Sequence, residues 1–330
     1  MSFVVTRYRN KVKRSVTFTV VTPLFLGGED GKTAEIRIPS LRGVLRFWWR
    51  ASFQGDLREL KNAEADVFGN TEKKSPLEIY PAEQINIKTS SHPIPKGTLV
   101  NTGEYEPVGI IRYLGYGLQK DTGGTQQREF IELKQSFSLE FLYPEHIEED
   151  VERSLSLLHS FGGLGSRSRN GFGSVQIEGR KLLDLGDVPV TGEVKDYTSF
   201  SQDSRLFTFA KHDSWVGALS EAGVAYREAR VNLEARHQGD RRRYVSLPLN
   251  IKGGPNFGGR HAKPYFLHVN KLDDKEDEKK KVFQSRILFL PYRYNYKGGQ
   301  YNKYKNVCDS MNGVLQQKAV EVRDDIHETR

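Results

Sequence analysis

The chain has 330 residues, with 50 Lys and Arg against 42 Asp and Glu, a formal net charge of +8. That length exceeds what one hydrophobic core usually serves, so two domains are expected, and the cationic balance favours polyanionic partners, nucleic acid first. A single cysteine, Cys308, excludes an intrachain disulfide framework and a cysteine-rich zinc site, and suits a cytoplasmic location.

The basic opening, residues 1–14, has no apolar core and does not read as a signal peptide. No apolar run approaches the roughly 20 residues that cross a bilayer, so no membrane partner is expected. Alternation predicts a strand over 16–21, followed by a glycine-containing loop over 23–31. A helix is expected from Ser40 as N-cap, with Leu41, Val44, Leu45 and Trp48 at helical spacing. Short strands are predicted over 76–80 and 84–88, then a polar insertion over 90–128 with an apolar break at 108–114. Residues 136–141 alternate as a strand. A helix over 145–160 carries Glu148, Glu149 and Asp150 near its start, as the helix dipole prefers. A strand over 173–178 closes the order strand, helix, strand, strand, helix, strand, the ferredoxin-like pattern.

Residues 179–198 read as a linker, after which the order begins again. Strands are expected over 205–211, 243–251, 264–270 and 282–291, with helices over 213–236 and 300–323. The closing strand of this second half is not legible. The acidic and lysine-rich stretch 273–281 reads as a solvated hairpin loop.

Several features could carry chemistry. Gly31-Lys32-Thr33 invites a phosphate-loop reading, but Leu26 stands where that motif needs its first glycine, and no helix follows, so it is rejected. On the first helix Arg42, Arg46 and Arg50 recur every four residues. Like charges at that spacing repel and call for an anion. Arginine grips phosphate with two parallel bonds, so RNA contact is the reading for Arg42 and Arg46. For Arg50 a solvated basic face serves equally well, and Trp48 reads as core.

The strongest signal is the run 161–174, with glycines at 162, 163, 165, 171 and 173. Such a loop can curl so that amide groups converge on an anion. Gly163, Gly165, Ser166, Arg167, Ser168 and Arg169 are its candidate RNA-binding residues. In the second half, Arg241 and Arg242 beside Tyr244, and the alternating Tyr292, Tyr294 and Tyr296, suit single-stranded RNA. Core packing explains the tyrosines equally well. The eight histidines show no metal-ligand spacing, and no metal or cofactor is expected. His159, beside the glycine loop, is the one candidate general base, although a helix-capping role is commoner.

Two stretches also carry a family resemblance. The run Thr22-Pro23-Leu24-Phe25-Leu26-Gly27-Gly28 and the run from Ile38 through Arg50, with the glycine-rich loop, resemble the first-subunit family of the Cmr (type III-B) CRISPR RNA-silencing complex, within the RAMP superfamily. The resemblance covers the first half of the chain. It implies an α+β protein of two tandem ferredoxin-like, RNA-recognition-like RAMP domains with insertions, here residues 1–185 and 186–330. It also implies a non-catalytic subunit of a ribonucleoprotein in antiviral defence. Its partners would be the guide RNA near its 3′ region, the paired target RNA and the other subunits of a Cmr-type effector. It further suggests that the Arg helix and the glycine loop border one RNA-facing surface. The alternative within the superfamily is a metal-independent endoribonuclease that processes guide precursors. Those enzymes carry the glycine-rich loop close to the C-terminus, whereas here more than 150 residues follow Gly173.

Overall fold

Strand β1 (Lys11–Val20) turns Val16, Phe18 and Val20 inward, as its alternation requires. The structure is a computed structural model that describes residues 10–101, 106–118, 128–190, 192–233, 240–246, 261–273, 281–294 and 299–323. Helix α1 (Ile38–Ser52) starts three residues earlier than expected. Its N-cap is Arg37, which makes no side-chain cap, and Pro39 lies in the first turn, where its missing N–H costs nothing. Leu41, Leu45, Trp48 and Trp49 are its buried face. An unexpected second helix follows, α2 (Leu57–Phe68), opened by a reciprocal capping box between Asp56 and Glu59.

Strand β2 (Glu78–Pro81) is shifted by about two residues from the expected 76–80. Residues 84–88 form no strand; Ile85 and Ile87 only lean on the core from a loop. The insertion contributes four two-residue strands, β3 (Thr89–Ser90), β4 (Leu99–Val100), β5 (Val108–Gly109) and β6 (Phe130–Ile131), and the short helix α3 (Ile110–Leu114). Strand β7 (Ser136–Pro144), helix α4 (Glu148–Phe161) and β8 (Val175–Ile177) complete the first half. Its sheet runs β2-β7-β1-β8 with antiparallel pairing throughout. Phe18 faces Phe137 across the ladder and stacks on it at 5.2 Å.

The second half repeats the order with β9 (Arg205–His212), α5 (Trp215–Val231), β10 (Tyr265–Asp273), β11 (Lys281–Phe289), α6 (Tyr301–Lys318) and β12 (Glu321–Arg323). Its sheet runs β10-β11-β9-β12. The expected strand over 243–251 is not formed where described: residues 242–244 make a single 3-10 turn, and 247–251 lie outside the described residues. The last helix ends at Lys318 rather than continuing to 323, because Ala319 turns extended and Val320 N–H donates to Thr208 O at 2.9 Å. That turn starts β12, the closing strand the sequence hid. The stretch 273–281 falls largely outside the described residues.

The second sheet is buried on both faces, and its alternation assigns each face. Leu206, Phe266 and Leu288 point into the core of the first half, while Phe207, Tyr265, Leu267, Ile287 and Phe289 pack against α5 and α6. The insertion belongs to this second core: Ile110, Ile111 and Leu114 lie on α5. Gly223 makes room for them, since a Cβ there would sit 2.8 Å from a Leu114 methyl. The two halves therefore interlock through the insertion and through β10. No described helix is long and apolar enough to cross a membrane.

Candidate nucleic-acid interface

The glycine loop joins the end of α4 to β8 and is packed, not open. Gly165 (φ +78°) lies so close to the Phe25 carbonyl that a Cβ would strike it, and Ser166 N–H donates to that same oxygen at 2.8 Å. At Gly173 (φ +64°) a Cβ would strike the Leu164 carbonyl. The amides of Leu164, Gly173 and Ser174 are spent on Gly173 O (2.9 Å), Pro23 O (3.0 Å) and Thr22 Oγ1 (2.9 Å). These three donors are consumed within the protein and take no part in a nest of amides converging on an anion. The glycines instead let the loop press against the strand exit at 22–25, leaving Arg167, Ser168 and Arg169 at its outer bend. Arg167 itself takes φ +59°, an uncommon conformation for a side-chain-bearing residue.

Arg169 clamps the loop to the second half. Its carbonyl accepts from Leu267 N–H at 3.1 Å, and its Nη1 donates to Lys263 O at 2.7 Å. The guanidinium lies 4.5 Å from the Phe266 ring centroid and 5.1 Å from that of Phe47. Lys263 Nζ donates to Asn170 Oδ1 at 2.6 Å and sits 4.1 Å from the Tyr226 ring centroid. Burial, then the nearby guanidiniums of Arg230, Arg169 and Arg167, hold the Lys263 ammonium well below its usual pKa.

Around this junction the cations accumulate. Arg167 Nη2 donates to Tyr116 O at 2.5 Å, and Arg128 Nη1 to Ser166 Oγ at 3.3 Å. Arg227 and Arg230, one turn apart on α5, both lie over Tyr113 of α3, at 5.6 and 5.4 Å from its ring centroid. Their Nε atoms and the Tyr113 hydroxyl are buried without a hydrogen-bond partner. None of Arg128, Arg167, Arg169, Arg227, Arg230 or Lys263 forms an ion pair with a described acidic residue. Sequence reasoning singled out Arg167 and Arg169 but missed the other four. Arg227 and Arg230 at i, i+3 on one helix are the local signal; nothing local joins them to a loop some 60 residues away.

The arginine ladder of α1 has another fate. Arg46 donates to the last carbonyls of α2, Phe68 O at 2.9 Å and Gly69 O at 3.0 Å, and lies 3.4 Å from the Glu64 carboxylate. Arg50 grips the same Glu64 with two bonds, one of them 2.6 Å from Nη2. The anion that the spacing calls for is therefore internal, supplied by the unexpected helix. Arg42, further along, has its Nε buried without a partner and is among the cations that hold the Glu78 carboxyl below its usual range, after Lys11. Nor does the ladder share the loop's groove: α1 turns Gly43, Val44, Phe47 and Trp48 toward Gly162, Gly163, Ser168 and Arg169. No described hydrogen bond or ion pair links Arg42, Arg46 or Arg50 to the loop.

In the second half, Arg241 ties the end of α5 to α6, donating to Leu233 O and Ser310 Oγ, both at 2.8 Å. Arg242 opens the 3-10 turn beside it. Tyr292 is buried with its hydroxyl donating to Ala262 O at 2.9 Å, and Tyr294 stacks on Tyr304 at 5.6 Å. Both are packing residues; Tyr296 lies outside the described residues. His159 is buried, its Nδ1 accepts from Ile177 N–H at 2.9 Å, and burial followed by the Arg180 charge lowers its pKa to about 4. It anchors β8 to α4 rather than facing the loop's surface. The Gly31-Lys32-Thr33 run closes a turn in which Asp30 Oδ1 accepts from Lys32 N–H at 2.7 Å and Thr33 N–H at 2.9 Å.

Residues 17–176 match the RAMP superfamily, a stretch that runs from β1 through the whole glycine loop into β8. The first half of the chain thus matches the RAMP superfamily, and the resemblance read from the two sequence runs is borne out. Two curated Pyrococcus furiosus proteins are similar to it, each 27% identical. Cmr subunit Cmr1-2 aligns over 170 residues, 48% of this chain and 91% of that protein; Cmr subunit Cmr1-1 aligns over 171 residues, 50% and 47% respectively. The crystal structure of Cmr1 from Pyrococcus furiosus in its apo form superposes with a TM-score of 0.50 over 94% of this chain and 98% of that one, at 17% identity. That superposition shows a shared mixed α/β fold extending through the second half, where sequence resemblance is weak.

Proposed function

We propose that this chain is a non-catalytic RNA-binding subunit of a type III-B Cmr effector, built from two ferredoxin-like domains at 1–185 and 186–330. In this reading it contacts the guide RNA's 3′ region and the paired target RNA beside other Cmr subunits. The βαββαβ order and matching strand order of the two sheets support the domain assignment. The named relatives support the complex.

One observation carries RNA binding: five arginines gather around the glycine loop beside the buried Lys263, and none of them is ion-paired to a described acid. Each is solvated or bonded to a carbonyl or hydroxyl, so a polyanion entering the cleft gains charge without first breaking an ion pair. Arg167, Ser168, Arg128, Arg227 and Arg230 would meet phosphates, with Lys263 and Arg169 setting the floor and Gly163 and Gly165 shaping the loop. Arg42 is the one ladder residue that forms no ion pair with a described acid. Backbone contacts of this kind do not read sequence. The buried, deprotonated His159 is spent on the Ile177 amide, which argues for binding over cleavage.

The test is titration of a labelled single-stranded RNA at several salt concentrations. Affinity should fall with a log–log slope of about −0.7 per neutralised phosphate, and no specific cleavage product should appear with or without Mg²⁺. Salt-independent binding sinks the phosphate reading, and products that vanish in His159→Ala restore the nuclease.

A further inference from the structure

Beside the cation cluster lies a groove of about 250 Å³, lined by Gly43, Val44, Phe47 and Trp48 of α1, by Gly162, Gly163, Ser168 and Arg169 of the loop, and by Phe266 of β10. Three features set it apart from an ordinary crevice. Its walls are aromatic, with Phe47 half-buried and 5.5 Å from Phe266, and the Arg169 guanidinium lies against both rings. Ser168, half-buried at its edge, makes no side-chain hydrogen bond among the described residues, so its hydroxyl can donate and accept.

The third feature is Gly43. It sits inside α1, where glycine is among the worst residues. The glycines opposite have internal reasons. A Cβ at Gly162 would collide with the Trp48 indole, and one at Gly163 would lie 2.8 Å from Phe172 O. A Cβ at Gly43 would meet nothing within 4 Å. No contact among the described residues explains the missing side chain. Its absence keeps the mouth of the groove open, as a site approached closely by another molecule requires.

We propose that this groove takes a single unpaired nucleobase of the bound RNA, stacked along Phe47 and the Arg169 guanidinium with its polar edge toward Ser168. The proposal rests on the phosphate-binding reading, because the neighbouring cations would hold the flanking phosphates. A flat, apolar-faced, polar-edged group attached to a phosphate chain fits an aromatic slot bordered by arginines. Stacking on aromatic and guanidinium planes is how unpaired bases are commonly held.

The experiment compares a 12-nucleotide oligouridylate with a ribose-phosphate oligomer of equal length and charge that lacks bases. The parent chain should bind the base-bearing oligomer about 10-fold tighter, within the range that one stacked base supplies. Gly43→Leu fills the mouth with a good helix former, so it should melt no lower than the parent. It should bind the abasic oligomer as the parent does, with an unchanged salt slope, and should lose the preference for bases. Gly43→Gln repeats the test with a polar side chain of similar length. Equal binding of both oligomers by the parent, with a normal salt slope, overturns the base pocket and leaves the phosphate reading standing. Undiminished base preference in both Gly43 variants also overturns it. Failure of the parent to bind the abasic oligomer in a salt-dependent way would instead strike at the phosphate reading itself.

Discussion

Two groups of arginines look alike in the sequence and differ in the folded chain. On α1, Arg46 and Arg50 are bound to Glu64 and to the carbonyl end of α2, a local device that fixes one helix on another. Around the glycine loop, Arg167, Arg169, Arg227, Arg230 and Lys263 crowd together with only carbonyls, hydroxyls and aromatic faces for company. Charge density along a sequence therefore says little about which charges are available. What separates the two groups is whether folding brings them an acid. An uncompensated cluster costs stability through self-repulsion, and chains that keep one use it on an external anion.

The sharpest way to break the second region is Gly165→Val. The β-branched side chain would face both a positive φ and the Phe25 carbonyl, so a loss on the order of 3–5 kcal/mol is expected, read by chemical denaturation. A variant as stable as its parent would show that the loop is not packed as described. Acid should loosen the same region from behind. Burial lowers the His159 pKa to about 4 and that of His268 to about 3, both below the roughly 6.5 of an unfolded chain. The folded state thus disfavours their protonation, so their stability contribution is intact above about pH 6.5 and is lost as pH falls toward 4. A melting temperature lower by about 5 °C at pH 5 than at pH 7 is expected, with a shallower profile in His159→Gln. A flat profile contradicts the buried neutral pair.

The first region is broken more gently. Glu64→Ala leaves Arg46 and Arg50 facing each other; Glu64 is only 13% exposed but its partners are 31% and 43% exposed, so about 1–2 kcal/mol of stability should go. RNA affinity should hold or rise slightly. If it falls instead, the ladder belongs to the binding surface after all.

Much of this was legible along the chain, and the gaps have physical causes. Strands β1 and β7 and helix α4 announce themselves because one face of each is buried, which forces a clean period. Helix α2 was missed because Lys61, Asn62, Glu64 and Asp66 mask a narrow apolar stripe, although Asp56 and Glu59 spelled its capping box. Strand β12 is three residues at a sheet edge, directly after a helix, with only Val322 partly buried, so no periodicity marks it. The glycine loop stands out in the sequence for its freedom to curl, and in the fold several of its amides, those of Leu164, Ser166, Gly173 and Ser174, are spent internally. The cation cluster joins residues 128, 167, 227 and 263, a meeting made by the way the insertion and β10 fold onto the loop; no window of sequence contains it.

The measurement that bears most directly on this account is the salt dependence of single-stranded RNA binding in two variants run side by side, Arg167→Ala and Arg50→Ala. Among the described residues Arg167 has no acidic partner, whereas Arg50 has Glu64. Arg167→Ala should melt like the parent, bind more weakly, and show a log–log slope smaller by about 0.7, one phosphate contact. Arg50→Ala should melt lower and keep the parent's slope. The reverse pattern, with the slope reduced in Arg50→Ala and untouched in Arg167→Ala, would contradict the assignment of RNA binding to the glycine-loop cluster.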